Sequence, residues 1–399
     1  MQISALDIEL TQRCNLACPY CYLGRCKSTG TIARETLAAA ADLLDKQPPP
    51  QPKKKALKVN FYGGEPFLAF AELRWLVEET QRRGKNYRFT ILSNGTLADP
   101  EIVAFCRAQQ ISVQRSLDGG PAAMRICRGE GTLEKYLAAS RVWKDYAKTR
   151  RSTVLPETAK FLLGSLRYFE KIGFRAGVSP MPDYYSQWSP RQIAEFKENL
   201  WGIAEHLIAR IRAGGEPFYV HWFDRSAACF RAGKNYRSQV GCGAGKGLWC
   251  LCWDGFLFLC HRFASEPRDG PFCVGSIAEV LAGTARGLAP SVQGDLQRFW
   301  KKDRLPRCAD CIGQYGCTQG CYHSNWKCTG DLREPPPLYC ELKRESAKIV
   351  QYIDNQLRGL RPDWWKRRRG KSANGQGSGN QARLGPASPP LPPKGPAPA

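Results

Sequence analysis

The sequence predicts an α/β protein: a partial (β/α)6 barrel of the TIM type followed by a small cysteine-rich domain. Three observations predict it. Six short apolar runs between residues 5 and 181 alternate with longer helix-forming runs, an order that demands parallel strands joined by crossovers. Several of these runs end in polar, glycine-containing turns, and the C-terminal ends of strands are where such barrels hold their ligands. From about His221 onward, cysteines become dense and helical runs short.

The 399 residues suffice for one large and one smaller domain, with 43% hydrophobic and 11% aromatic residues. No stretch approaches the roughly 18 consecutive apolar residues of a membrane span. The first strand starts near residue 5 with no signal peptide ahead of it, so the expectation is a cytoplasmic protein without a membrane partner. Eighteen cysteines in clustered spacings then point to metal ligation rather than disulfides. The formal charge of +23 favours an acidic partner.

The first strand, residues 5–10, runs into TQRCNLACPYCY, in which three and then two residues separate Cys14, Cys18 and Cys21, with Tyr20 before the third cysteine. Thiolates spaced this way on one loop can hold three irons of a 4Fe-4S cluster and leave the fourth iron open. Zinc also takes thiolates, usually by pairing CxxC units, so a zinc-binding module is the non-enzymatic alternative. Residues 31–44 read as a helix capped by a threonine, and the Pro-rich, basic stretch 45–55 as a surface loop.

The second strand, residues 56–61, leads to Tyr62, Gly63, Gly64, Glu65 and Pro66. Paired glycines let backbone approach a ligand, and the following Glu can accept a hydrogen bond from an ammonium group. A helix over 69–83 precedes a strand over 87–92 that ends in Ser93, Asn94 and Gly95. The strand over 111–116 closes with Ser116, Leu117, Asp118 and Gly119, and Arg125 follows in RICRGEGT, with Arg128 as its substitute. Helices over 133–146 and 157–172 alternate with strands over 151–155 and 175–181, and a long amphipathic helix spans 191–212.

CxxxCxxC after the first strand, GGEP after the second and the polar turns after the third and fourth resemble the motifs of radical S-adenosylmethionine (SAM) enzymes. The resemblance implies a SAM-binding 4Fe-4S cluster on Cys14, Cys18 and Cys21, with SAM chelating the open iron and releasing a 5'-deoxyadenosyl radical. It assigns Tyr20, Gly63, Gly64, Glu65, Pro66, Ser93, Asn94, Ser116, Asp118 and Arg125 to the SAM pocket. The His-Asp pair common ahead of that arginine in the family is missing.

Further on, Cys242, Gly255, Cys260, Cys308, Cys311, Cys317, Cys321 and Cys340 resemble the motif of the SPASM domain, whose two auxiliary 4Fe-4S clusters have interleaved ligands. Carried over, Cys308, Cys311, Cys317 and Cys340 hold the distal cluster, and Cys242, Cys260 and Cys321 the one nearer the barrel. Cys229, Cys250, Cys252, Cys273 or an open iron completes the latter. His261 follows Cys260, where sulfatase-maturing relatives place an acidic base, and is the candidate catalytic residue; His323 reads as a support for a cluster ligand.

The expected boundaries are residues 1–222 for the barrel, 223–345 for the SPASM domain, 346–362 for a closing helix and 363–399 for a disordered basic, Pro/Gly-rich tail. With Trp364 and Trp365 its only aromatics, the tail makes a poor nucleic-acid arm, so nucleic acid is not an expected partner. Resemblance to the family implies modification of a ribosomally made peptide or protein by crosslinking, epimerisation or oxidation. An electron donor such as flavodoxin or ferredoxin is then required. The start of the barrel near residue 5 leaves leader recognition to a separate protein or to the basic surface. Sulfatase-type or small-molecule oxidation and RNA modification are the alternative activities.

Overall fold

The computed structural model describes residues 2–24, 29–48, 56–84, 87–144, 146, 148–173, 180–233, 242–300 and 305–365. Strands β1 (Ala5–Thr11), β2 (Leu57–Gly63), β3 (Tyr87–Ser93), β4 (Ser112–Ser116), β5 (Lys148–Val154) and β6 (Pro180–Pro182) lie side by side in chain order, and every adjacent pair is parallel. Helices α1 (Arg34–Asp45), α2 (Phe70–Arg82), α3 (Pro100–Ala108), α4 (Pro121–Arg128), α5 (Thr132–Trp143) and α6 (Leu162–Lys171) make the crossovers.

The strands show why. Leu6, Ile8 and Leu10 of β1, Val59 and Phe61 of β2, Phe89 and Ile91 of β3 and Val113 of β4 form buried apolar rows. They share one core with Leu37, Ala40, Ala41 and Leu44 of α1 and Leu73, Leu76 and Val77 of α2. Side chains alternate across a strand, so the rows between them face inward: Asp7 and Glu9, Asn60 and Tyr62, Thr90 and Leu92, Gln114 and Ser116. Most of these are polar.

Some expected elements differ, among them the strand expected over 151–155, which spans Lys148–Val154. The helix over 157–172 begins as a 3-10 turn, Pro156–Phe161, before α6. The strand expected over 175–181 is described only as β6, Pro180–Pro182; residues 174–179 lie outside the described residues.

Helices α7 (Pro190–Arg212) and α8 (His221–Arg231) precede strands β7 (Leu248–Leu251), β8 (Phe256–Phe258) and β9 (Cys273–Ser276). β7 pairs parallel with β1, and β8 and β9 follow antiparallel, so one nine-stranded sheet crosses the boundary expected at residues 222 and 223. After α9 (Ile277–Ala282), α10 (Pro290–Trp300) and α11 (Tyr322–Thr329), α12 (Pro337–Leu357) closes the chain. Its Leu342, Ile349, Val350, Ile353 and Leu357 share a second core with Phe196, Leu200, Ile203 and Leu207 of α7 and Trp222 and Phe223 of α8.

The closing helix thus begins earlier than residue 346, and packed structure continues past 362. Trp364, expected in the tail, is 1% exposed in this second core, and its indole N–H donates to Asp354 at 2.7 Å. Residues 366–399 lie outside the described residues. Among the described residues, no helix is long and apolar enough to cross a membrane.

Candidate active site

Cys14, Cys18 and Cys21 are half-buried free thiols on the loop leaving β1. Cys14 and Cys21 both act electrostatically on Cys18, whose thiol burial pushes up. The end of β2 presses against this loop: Gly64 N–H donates to Thr11 O at 2.7 Å and Glu65 N–H to Arg13 O at 2.8 Å. A Cβ on Gly63, which has φ +139°, would lie 2.2 Å from Thr11 O, and one on Gly64 2.1 Å from Arg13 O. The paired glycines therefore seat the cysteine loop, a role distinct from the ligand approach that the sequence suggests.

Glu65 is fully buried. Its carboxylate accepts from Asn94 N–H at 2.7 Å and Phe67 N–H at 3.3 Å, and burial pushes its pKa up to about 7. Pro66 opens a 3-10 turn, Pro66–Ala69, that holds the Phe67 amide in place. Asn94 reaches the cysteine loop: its amide donates to Asn15 Oδ1 at 2.7 Å and points at Cys14 Sγ from 3.9 Å. Ser93 Oγ accepts from Gly95 N–H at 3.0 Å and fixes the turn. The structure thus brings Glu65, Ser93 and Asn94 together beside Cys14.

On the other side of the loop, Asp118 is buried and accepts from the Tyr20 hydroxyl, from Arg128 Nε at 2.6 Å and from Thr153 N–H at 2.7 Å. Burial and the Asp118 charge push the Tyr20 hydroxyl well above its ordinary value. Ser116 ends β4 half-buried, next to Arg151 of β5. Arg125 does not join this group. On α4 it faces solvent, while Arg128, three residues later, is the buried cation. Three residues apart, the two are neighbours on the helix, but Arg128 lies at its packed edge and Arg125 at its solvent edge, a difference that the motif spacing could not resolve.

Inside the barrel, His261 Nδ1 sits 2.7 Å from Asp7 Oδ2, and Asn60 Nδ2 donates to Asp7 Oδ1 at 2.8 Å. Tyr22 and Tyr62 flank the imidazole at ring distances of 5.7 and 5.1 Å, and the Tyr62 hydroxyl bonds Cys250 Sγ. Asp7, Glu9, Asn60 and Tyr62 are site residues that the motifs do not mark. A signal was present all the same: in ALDIELT, acidic residues occupy alternate positions of an otherwise apolar strand, which marks the inner face.

The second cysteine field divides into two neighbourhoods. Cys321 and Cys242 are the thiols that act most strongly on buried Cys260. Cys317 and Cys311 act on Cys308, and Cys317 acts on Cys340, which lies in the first turns of α12. Of the other thiols, Cys250 bonds Cys252 and Tyr62 inside the barrel, Cys273 lies on β9, and Cys229 lies on α8. His323 Nδ1 is 2.7 Å from the Tyr185 hydroxyl, and burial with nearby Arg262 lowers its pKa to about 3.

These donor sets fit iron-sulfur clusters. Each is made of thiols, and no three His, Cys, Asp or Glu side chains among the described residues gather as the ligands of a single metal ion.

Residues 8–162 match the family model described as the radical SAM superfamily. A protein of Methanocaldococcus jannaschii, described as uncharacterized, is 31% identical over 119 residues, which cover 29% of this chain and 38% of that protein. The chain therefore matches little more than a third of that relative's length. Among solved structures, native anSMEcpe with bound AdoMet superposes with a TM-score of 0.66 at 18% identity, covering 88% of this chain and 99% of that one. Streptococcus suis SuiB bound to precursor peptide SuiA gives a TM-score of 0.54 at 16% identity, covering 85% and 76%. Likeness at these identities is one of fold.

Proposed function

We propose that this chain, built on its radical SAM domain, modifies a side chain of a ribosomally made peptide or protein by removing a hydrogen atom inside the barrel. The observation that carries the reading is the His261–Asp7 pair within the barrel, next in sequence to Cys260 of the second thiol field. The fold likeness to anSMEcpe and SuiB supports it, since both also occur in peptide-bound structures.

Cys14, Cys18 and Cys21 would hold the 4Fe-4S cluster that, with SAM on its open iron, supplies the 5'-deoxyadenosyl radical. Two auxiliary clusters would fall to Cys242, Cys260 and Cys321 and to Cys308, Cys311, Cys317 and Cys340. Glu65 presents a buried carboxylate to the SAM ammonium, and Asn94 ties its turn to the cysteine loop. Asp118, locked by Arg128, Tyr20 and Thr153, forms the opposite wall.

Asp7 holds His261 by Nδ1 and leaves Nε2 to take a proton from the substrate residue as its radical is oxidised. The thiol field beside His261 lies where the electron released in that oxidation would leave. An electron donor of the flavodoxin or ferredoxin kind would serve the basic surface well, because such donors are acidic.

Anaerobic reconstitution tests the reading. About twelve irons with matching sulfide, 5'-deoxyadenosine from SAM and a mass change on a peptide encoded beside this chain are expected. Zinc without sulfide, or SAM left intact under reduction, would overturn it.

A further inference from the structure

Glu9 is the buried group that this mechanism does not use. It lies on the inner face of β1 beside Tyr62 of β2, with no solvent exposure, and its Oε1 has no hydrogen-bond partner among the described residues. Its other oxygen receives a long bond from Trp253 N–H, 3.5 Å, and Gln12 also bonds the carboxylate. Burial pushes its pKa up to about 7. A buried carboxylate oxygen without a donor is costly, and a molecule that supplies one is bound at an advantage.

The surroundings select the kind of donor. In the turn after β7, Asp254 presents a second bare carboxylate atom, Oδ1, and the two carboxylates act on one another. Asp7 lies two residues before Glu9 on the same face of β1, already engaged by Asn60 and His261. Among the described residues the cation acting on Glu9 is Arg268, and it is committed: Nε to Asp254 Oδ2 at 2.7 Å, and Nη1 to Ala264 O at 2.7 Å and Glu266 O at 3.1 Å. The Tyr22 and Tyr62 hydroxyls and the Cys252 thiol also interact with Glu9, and none of them is cationic. In a chain with 59 basic and 36 acidic residues, this spot is a local reversal of sign.

We propose that Glu9, with Asp254 beside it, forms a cation subsite in the barrel wall that takes the ammonium or guanidinium group of a Lys or Arg side chain of the peptide substrate. Glu9 supplies the charge and the free acceptor, Asp254 the second acceptor, and Tyr22 and Tyr62 the apolar flanks. The inference rests on the peptide reading above and specifies which sequences satisfy it. A substrate that is acidic overall docks on the basic exterior and places one basic residue here.

The test uses the reconstituted holoprotein under anaerobic conditions with three probes, acetyl-Gly-Gly-X-Gly-Gly-amide with X as Lys, Arg or the uncharged Met, and reads binding by calorimetry. At pH 8 the Lys and Arg peptides bind at least about tenfold more tightly than the Met peptide, as expected for a charge-assisted hydrogen bond. The preference disappears in Glu9→Gln and weakens in Asp254→Asn, a half-exposed position that keeps the test available if the buried variant does not fold. Absence of any preference in the unmodified protein, or its persistence in both variants, overturns the subsite. SAM cleavage measured on the same preparation separates the two claims: its absence counts against the proposed function, while its presence without charge preference counts against the subsite alone.

Discussion

His261 is useful only because Asp7 and Asn60 hold it in place. Replacing it by Ala should lower peptide modification by about 100-fold or more, while the protein keeps its iron and its affinity for SAM; product quantified by mass spectrometry checks this. Asp7→Asn should fall in the same direction by a smaller factor, because the ring is left without its fixed partner. Arg128 and Arg125 make a second contrast. Removing Arg128 strands the buried Asp118 carboxylate, at a cost of about 3–5 kcal/mol, whereas Arg125→Ala on the exposed face should change stability by no more than about 0.5 kcal/mol. Chemical denaturation of the two variants separates them. Glu65 and Glu9 add a pH signature. Both have folded pKa values raised to about 7 from 4.5, so the folded state binds the extra protons. That contribution is fully present below about pH 4.5 and is lost as pH rises through about 7, a few kcal/mol per buried group. Glu9→Gln should therefore flatten the decline of stability between about pH 4.5 and pH 7.

At the scale of elements, strand alternation carries most of the design. In β1 the apolar residues face the helices and Asp7 and Glu9 face the interior, so a single seven-residue strand supports both the core and the chamber. The sequence shows the apolar half of that pattern at once, while its acidic half reads as function only when β2 and β7 bring Asn60, Tyr62 and Cys250 alongside. The β2 turn illustrates the opposite case: the GGE motif is plain in the sequence, yet the contact that excludes a Cβ at Gly64 is with backbone more than fifty residues away. Gly64→Ala should displace the cysteine loop, and iron content after reconstitution should fall by about a third while the other sites still load. The last helix makes a further prediction. Because Trp364 fills the core formed with α7 and α8, ending the chain after residue 362 should cost about 3–5 kcal/mol more than ending it after residue 365. Thermal unfolding of the two truncated chains distinguishes a packed end from a dispensable one.

At the scale of the whole molecule, the parallel order of six strands was legible because each strand and helix announces itself locally. The attachment of the second cysteine field was not, because the pairing of β7 with β1 joins residues more than two hundred positions apart. That pairing unites the barrel and the cysteine-rich region in a single sheet, and it sets His261 and Cys260 against the chamber. Under the proposed function, generation of the radical and its use fall to neighbouring parts of one continuous framework, with Tyr22, next to Cys21, flanking His261. The most direct measurement of this claim compares the wild type with a variant carrying Cys14→Ala, Cys18→Ala and Cys21→Ala, each reconstituted anaerobically and assayed for iron and for 5'-deoxyadenosine. The account predicts that the variant keeps about eight of about twelve irons and makes no 5'-deoxyadenosine. A variant that still cleaves SAM, or that retains its full iron, would contradict it.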